Sequence, residues 1–245
     1  MSEINLKLGL LSKRIIKISY IYAIILSTFV WFLNTQNSKG FAIISMGIGL
    51  FFLWGIISGY IMFKLKDPLK AFFETQNYPD ILVVSLVGVF LALVEEGIAT
   101  FMTNLAPLFG FSPYDVFITA SPNYIEVVTR HSVIAFIPWF IAWGFILNRY
   151  TIHPNTVFVL FGITGLIAES ITFGLQNFLQ FGFWIIIYGL MMYIPSYIVF
   201  NPSDLNKKTQ IRWFFYPVFV IVSYLALLIW GLLFVILLII LGLKV

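Results

Sequence analysis

Long apolar runs separated by short polar breaks dominate this chain. A membrane-spanning helix needs about twenty consecutive apolar residues. On that rule seven runs qualify, at roughly 15–33, 41–63, 80–104, 131–148, 156–178, 180–200 and 212–243. The predicted fold class is therefore all-α: a polytopic transmembrane helix bundle, one integral membrane domain over residues 1–245. The fifth and sixth runs are divided only by Gln176, Asn177 and Gln180, with Gly182 just after. The seventh exceeds one crossing and is expected to tilt or to emerge from the bilayer. Segment 105–130 fits neither pattern, being too apolar for a solvated loop and too broken by Pro and Gly for a continuous helix. It is expected to form a re-entrant or interfacial lid, because irregular backbone at membrane depth needs protein or a water-filled cavity to satisfy it.

Composition agrees with the runs. Hydrophobic residues make up 61% of the 245, charged residues only 10%, and the mean hydropathy is +1.01, outside the range of ordinary soluble domains. Aromatics reach 19%, as wide interfacial belts require. There are no cysteines, which excludes disulfides, thiolate catalysis and thiolate metal sites. The first run follows Lys13, Arg14 and Lys17 but is too long for a signal-peptide core, and reads as a retained anchor.

Charge then orients the runs. With the N-terminus inside, the inner segments hold Lys7, Lys13, Arg14, Lys17, Lys64, Lys66, Lys70, Arg149, Lys207, Lys208 and Arg212, and the outer ones Lys39, Arg130 and Lys244. Eleven against three is the asymmetry that the positive-inside rule demands. Seven crossings, N-terminus inside and C-terminus outside, preserve it, whereas six or eight would break it. A net charge of +4 held at span ends points to topology and lipid headgroups, with no nucleic-acid partner. The expected setting is a multi-pass protein of the cell membrane, in contact with membrane lipids and able to form homo- or hetero-oligomers.

Against this background the carboxylates inside the runs stand out, since a charge at membrane depth is costly and marks function or a structural pair. Glu95 and Glu96 lie in the third run, about 23 Å along a core of about 30 Å at the helical rise of about 1.5 Å per residue. Glu169 lies about 20 Å into the fifth run, in the same outer leaflet. Glu96, Thr100 and Thr103 share a helical face that Ala92 and Ser85 extend, while Glu95 points about 100° away. Gly162, Gly165, Thr172 and Gln176 form a small-and-polar stripe with Glu169. His131 opens the fourth run, on a stripe with Ala135, Pro138 and Ala142, and Arg130 and Glu126 immediately precede it. Gly55 and Gly59 give a close-packing G-x-x-x-G in the second run.

The candidate site is thus Glu95, Glu96, His131 and Glu169, supported by Arg130, Glu126, Thr100, Asn104 and Gln176. Carboxylates with a histidine in a partly dry cavity can activate water as general bases, or bind a divalent metal ion through Glu96, His131 and Glu169. The reading is a membrane-embedded hydrolase acting on a lipid-like or peptide substrate admitted by the lid. The alternatives are a proton- or cation-coupled transporter and a non-catalytic subunit of a larger membrane complex, whose buried charges would meet a partner. A purely structural reading has Glu96 and Arg130 form a buried ion pair that fixes helix register. His153, beside Pro154, reads as a solvated turn histidine.

Glu95-Glu96 within a membrane helix, followed by His131, resembles the CAAX prenyl protease and bacteriocin-processing family of intramembrane proteases. The resemblance implies that the paired glutamates activate water with help from histidine. It covers these residues alone. Where that family's motifs carry arginine and an aromatic this chain has Thr100 and Val127, and no histidine follows His153.

Overall fold

The computed structural model describes residues 2–202 and 213–240. Nine α-helices follow one another among them: α1 (Ser2–Leu33), α2 (Ser38–Leu50), α3 (Gly59–Gln76), α4 (Asp80–Thr103), α5 (Tyr124–Arg130), α6 (Ser132–Arg149), α7 (Pro154–Phe173), α8 (Phe181–Val199) and α9 (Tyr216–Ile240). A π-helical stretch, Phe51–Ser58, joins α2 to α3 without a break. Seven helical segments are long and apolar enough to cross a membrane. The protein is a multi-pass membrane protein by that measure. The second segment runs to Gln76, well beyond the predicted 63. Its polar second half carries Lys64, Lys66, Asp67 and Lys70 on regular helix.

Local chemistry sets the breaks. Asn37 caps α2 by accepting from the Gly40 N–H, and Asn123 caps α5 by accepting from Ile125 and Glu126. Asn77 ends α3 in the left-handed region at φ 55°, and Pro79 precedes α4. Gly174 ends α7 at φ 108°, which a residue with a Cβ rarely adopts.

Two ends of the bundle can be told apart by their contacts. At the basal end the Asn155 Nδ2–H donates to the Gly9 carbonyl (3.3 Å), the Tyr197 hydroxyl donates to Asp67 (2.5 Å), and the Lys70 ammonium donates to the Phe200 carbonyl. At the opposite, lid end, Tyr22 donates to the Leu179 carbonyl (2.7 Å) and Phe41 packs edge-on to Phe109. Lys7, Lys13, Arg14 and Lys17 lie on the basal half of α1, Lys64, Lys66 and Lys70 on α3, and Arg149 at the basal end of α6. The lid end carries Lys39 and Arg130. Lys207, Lys208, Arg212 and Lys244 lie outside the described residues.

In a membrane, lipid tails are as apolar as leucine, so close packing and hydrogen bonds hold helices together. α7 and α8 pack most intimately, through glycine. A Cβ at Gly162 would lie 2.5 Å from the Ile185 carbonyl oxygen, and one at Gly189 would lie 2.5 Å from the Phe158 ring. Gly88 admits Phe140 and Gly144 admits the Ile81 backbone, closing α4 on α6. Gly55 and Gly59 turn toward Ile186 and Leu190 of α8, so the G-x-x-x-G is an internal packing surface. Buried indoles add direction: Trp54 donates to the Ile187 carbonyl (2.9 Å) and Trp143 to the Ser223 hydroxyl (3.0 Å).

Candidate functional site

α4, α7 and α8 bring three carboxylates together beneath the lid end. Glu95 and Glu96 are buried, at 5% and 6% exposure, and Glu169 is half-buried. Glu95 is close enough to feel the charge of both Glu96 and Glu169, and Glu169 that of Glu96. Among the described residues, no lysine or arginine nitrogen lies within 4 Å of any of the three. The Glu96–Arg130 ion pair is therefore not formed; Arg130 is exposed at the end of α5, where the chain bends into α6.

Two of the three acids, Glu96 and Glu169, are oriented by neutral donors. The Tyr188 hydroxyl of α8 donates to Glu169 Oε1. Tyr188 can approach because Gly165, one turn before Glu169, has no side chain: a Cβ there would sit 2.0 Å from the Tyr188 ring. Thr119 donates to Glu96 Oε2 (2.9 Å), and Ser132, at the start of α6, lies near the same carboxylate. One turn along α4, the Thr100 hydroxyl is buried and has no hydrogen-bond partner. Polar atoms so placed are expected to find a partner. Here the free capacity lies a single helical turn from Glu96.

Thr119 belongs to the segment 104–123, which contains one short 3-10 turn (Ala106–Phe109) and otherwise turns and bends. It folds back over the end of α4. Thr103 accepts from the Ile118 N–H (3.2 Å), Asn104 donates to the carbonyls of Thr100 and Pro122 (both 2.9 Å), and Tyr124 donates to the Leu93 carbonyl (2.9 Å). Ala106 and Val116 are buried beneath it, while Leu108, Tyr114 and Phe117 are exposed. Burial, with the Glu96 charge second, raises the Tyr124 hydroxyl above its ordinary pKa.

The remaining expected residues are more scattered. His131 is within electrostatic reach of Glu96 but exposed, at the junction of α5 and α6. Glu126 accepts from Ser121 (2.7 Å) and so braces the lid. Gln176 does not share the Glu169 face. Thr172, in the last turn of α7, is exposed; the helix stops at Phe173, and Gln176 beyond it is exposed too and donates to the Phe173 carbonyl. Asn177 takes the inward position instead, donating to the Glu169 carbonyl (3.2 Å) and accepting from Trp184 (3.3 Å). Its place among the polar residues dividing two apolar runs was the sequence signal for it. Tyr188, Thr119 and Ser132 gave none, since each reaches the acids only through tertiary packing.

Among the described residues no three His, Asp or Glu side chains close on a common point as metal ligands, and Glu96, His131 and Glu169 are no exception. A groove of about 490 Å³ between α6 and α9 includes none of the carboxylates. Comparisons with protein-family models, curated proteins and solved structures find no match to this chain.

Proposed function

We propose that this protein is a membrane-embedded hydrolase whose carboxylate cluster activates water against a lipid-like or peptide carbonyl compound. The observation that carries the reading is the convergence of Glu95, Glu96 and Glu169 without a cationic partner, each of the last two held by a hydroxyl. A structural charge would be paired, since an unpaired buried charge destabilises a fold. Hydrolysis needs a group that takes a proton from water and another that gives one to the leaving atom. Glu96 takes the first role, with the free Thr100 hydroxyl beside it to hold the water. The water oxygen bonds to the carbonyl carbon, its proton passes to Glu96, and the bond to the leaving heteroatom breaks as Glu169 in its acid form protonates that atom. Exposed His131 would exchange the proton with solvent. The lid would admit substrate by releasing Thr119 from Glu96. The paired glutamates also agree with the resemblance to the CAAX protease family.

We further infer that the N-terminus is cytoplasmic, the C-terminus outside and the lid on the outer face of the cell membrane. The basic residues gathered at the basal end support this orientation. Transport is less well supported, because the bundle interior below the acids is filled by buried rings, Trp54 and Trp139 near the Tyr188 level and Trp143, Phe140 and Phe161 beyond them. A missing partner subunit is less well supported too, because Glu95 and Glu96 point inward.

The test uses the full chain in liposomes with a panel of fluorogenic ester and peptide substrates. Glu96→Gln and Glu169→Gln are each expected to lose about 10²–10⁴-fold in rate. Undiminished hydrolysis by either variant would sink the assignment. Metal content measured on the same samples tests the divalent-metal version, in which both variants lose bound metal along with activity.

A further inference from the structure

Outside the carboxylate site, the groove between α6 and α9 is the feature with the clearest chemistry. It holds about 490 Å³, within the range of about 300–1,000 Å³ typical of small-ligand sites. Its walls include Pro138 and Phe145 of α6 and Ala226, Trp230 and Leu233 of α9, and Arg149 stands at its basal end. Pro138 lies inside α6, where it removes a backbone hydrogen bond and opens the helix surface. The walls are otherwise apolar. From Arg149 to Pro138 is eleven residues of helix, about 16 Å at the helical rise, or about half of a 30 Å hydrocarbon core. The groove therefore spans one leaflet.

The charge at its mouth identifies the occupant. Arg149 is exposed, and no carboxylate oxygen lies within 4 Å of it among the described residues. Its guanidinium carbon lies 5.9 Å from the Tyr150 ring centroid, so the ring supports the group while the N–H donors remain available. Guanidinium donors match phosphate oxygens in pairs. We propose that this groove binds an anionic phospholipid from the leaflet at the basic end, with one acyl chain along α6 and α9 and the phosphate on Arg149.

The experiment is native mass spectrometry of the delipidated full chain in detergent, titrated with phosphatidylglycerol or phosphatidylcholine of matched chains. The wild type should prefer phosphatidylglycerol by about fivefold. Arg149→Gln should abolish that preference, and Lys13→Gln, away from the groove, should keep it. Ala226→Phe, which fills the groove, should weaken both lipids while leaving the helical circular-dichroism signal intact. If Arg149→Gln fails to fold, Ala226→Phe and a retained preference in Arg149→Lys still decide the matter. Equal binding of the two lipids by the wild type would overturn the proposal. So would undiminished binding by Ala226→Phe, or a dimer that Ala226→Phe disrupts while lipid binding stays unchanged.

Discussion

The lid half and the basal half of this bundle solve burial in opposite ways. In the basal half, aromatic rings fill the interior, glycines let backbones touch, and the Trp54 and Trp143 indoles donate to Ile187 and Ser223. In the lid half the same helices turn carboxylates and hydroxyls inward, and the irregular segment 104–123 is folded over them. The basal half is organised for packing. The lid half instead buries acids beside neutral hydroxyl donors.

The sharpest way to break this contrast is to enlarge a packing glycine. Gly162→Ala drives a methyl group into the Ile185 carbonyl oxygen, a backbone atom that can yield only if α7 and α8 separate. The expected loss is about 1–3 kcal/mol in detergent unfolding. Gly47→Ala, where a Cβ meets nothing within 4 Å, should lose none. Equal effects at the two positions would show that the glycines are not contact points.

Trp54→Phe keeps most of the ring but loses the bond to the Ile187 carbonyl. It should cost about 1 kcal/mol in the same assay. In the lid half, Thr119→Val removes the latch on Glu96. Faster amide exchange confined to 105–123 is expected, equivalent to about 1 kcal/mol of local opening, with global unfolding unchanged. A global loss instead would mean that the lid is part of the packing core.

The smallest effect concerns pH at the basal end. His153 does not lie free in its turn: its ring meets Gly9 and Phe200, and its Nδ1 accepts from the Asn155 N–H (3.1 Å). Burial lowers its pKa below the usual 6.5. The folded state then binds a proton less readily than the unfolded one. The stability is fully present above the unfolded value and is lost as pH falls toward the folded one. Stability should decline as pH drops from 7 to 5, and His153→Asn, which can still cap α7, should flatten that slope. An unchanged slope would assign it to the carboxylates.

The apolar runs, read by length alone, determined seven spanning helices and their order, because each span must satisfy its own backbone in lipid. They also put Glu95, Glu96 and Glu169 at one depth, since rise per residue is fixed once the span is known. Helical periodicity read beyond Gly174 misplaced Gln176, because a single left-handed glycine resets the phase and puts Asn177 inward. Which helices face each other was decided only in three dimensions. Tyr188 meets Glu169 because Gly165 leaves room for its ring, and Thr119 meets Glu96 because the chain doubles back after Thr103. Those contacts join residues 19 and 23 positions apart, and no periodicity along the chain encodes the packing angle that brings them within a hydrogen bond.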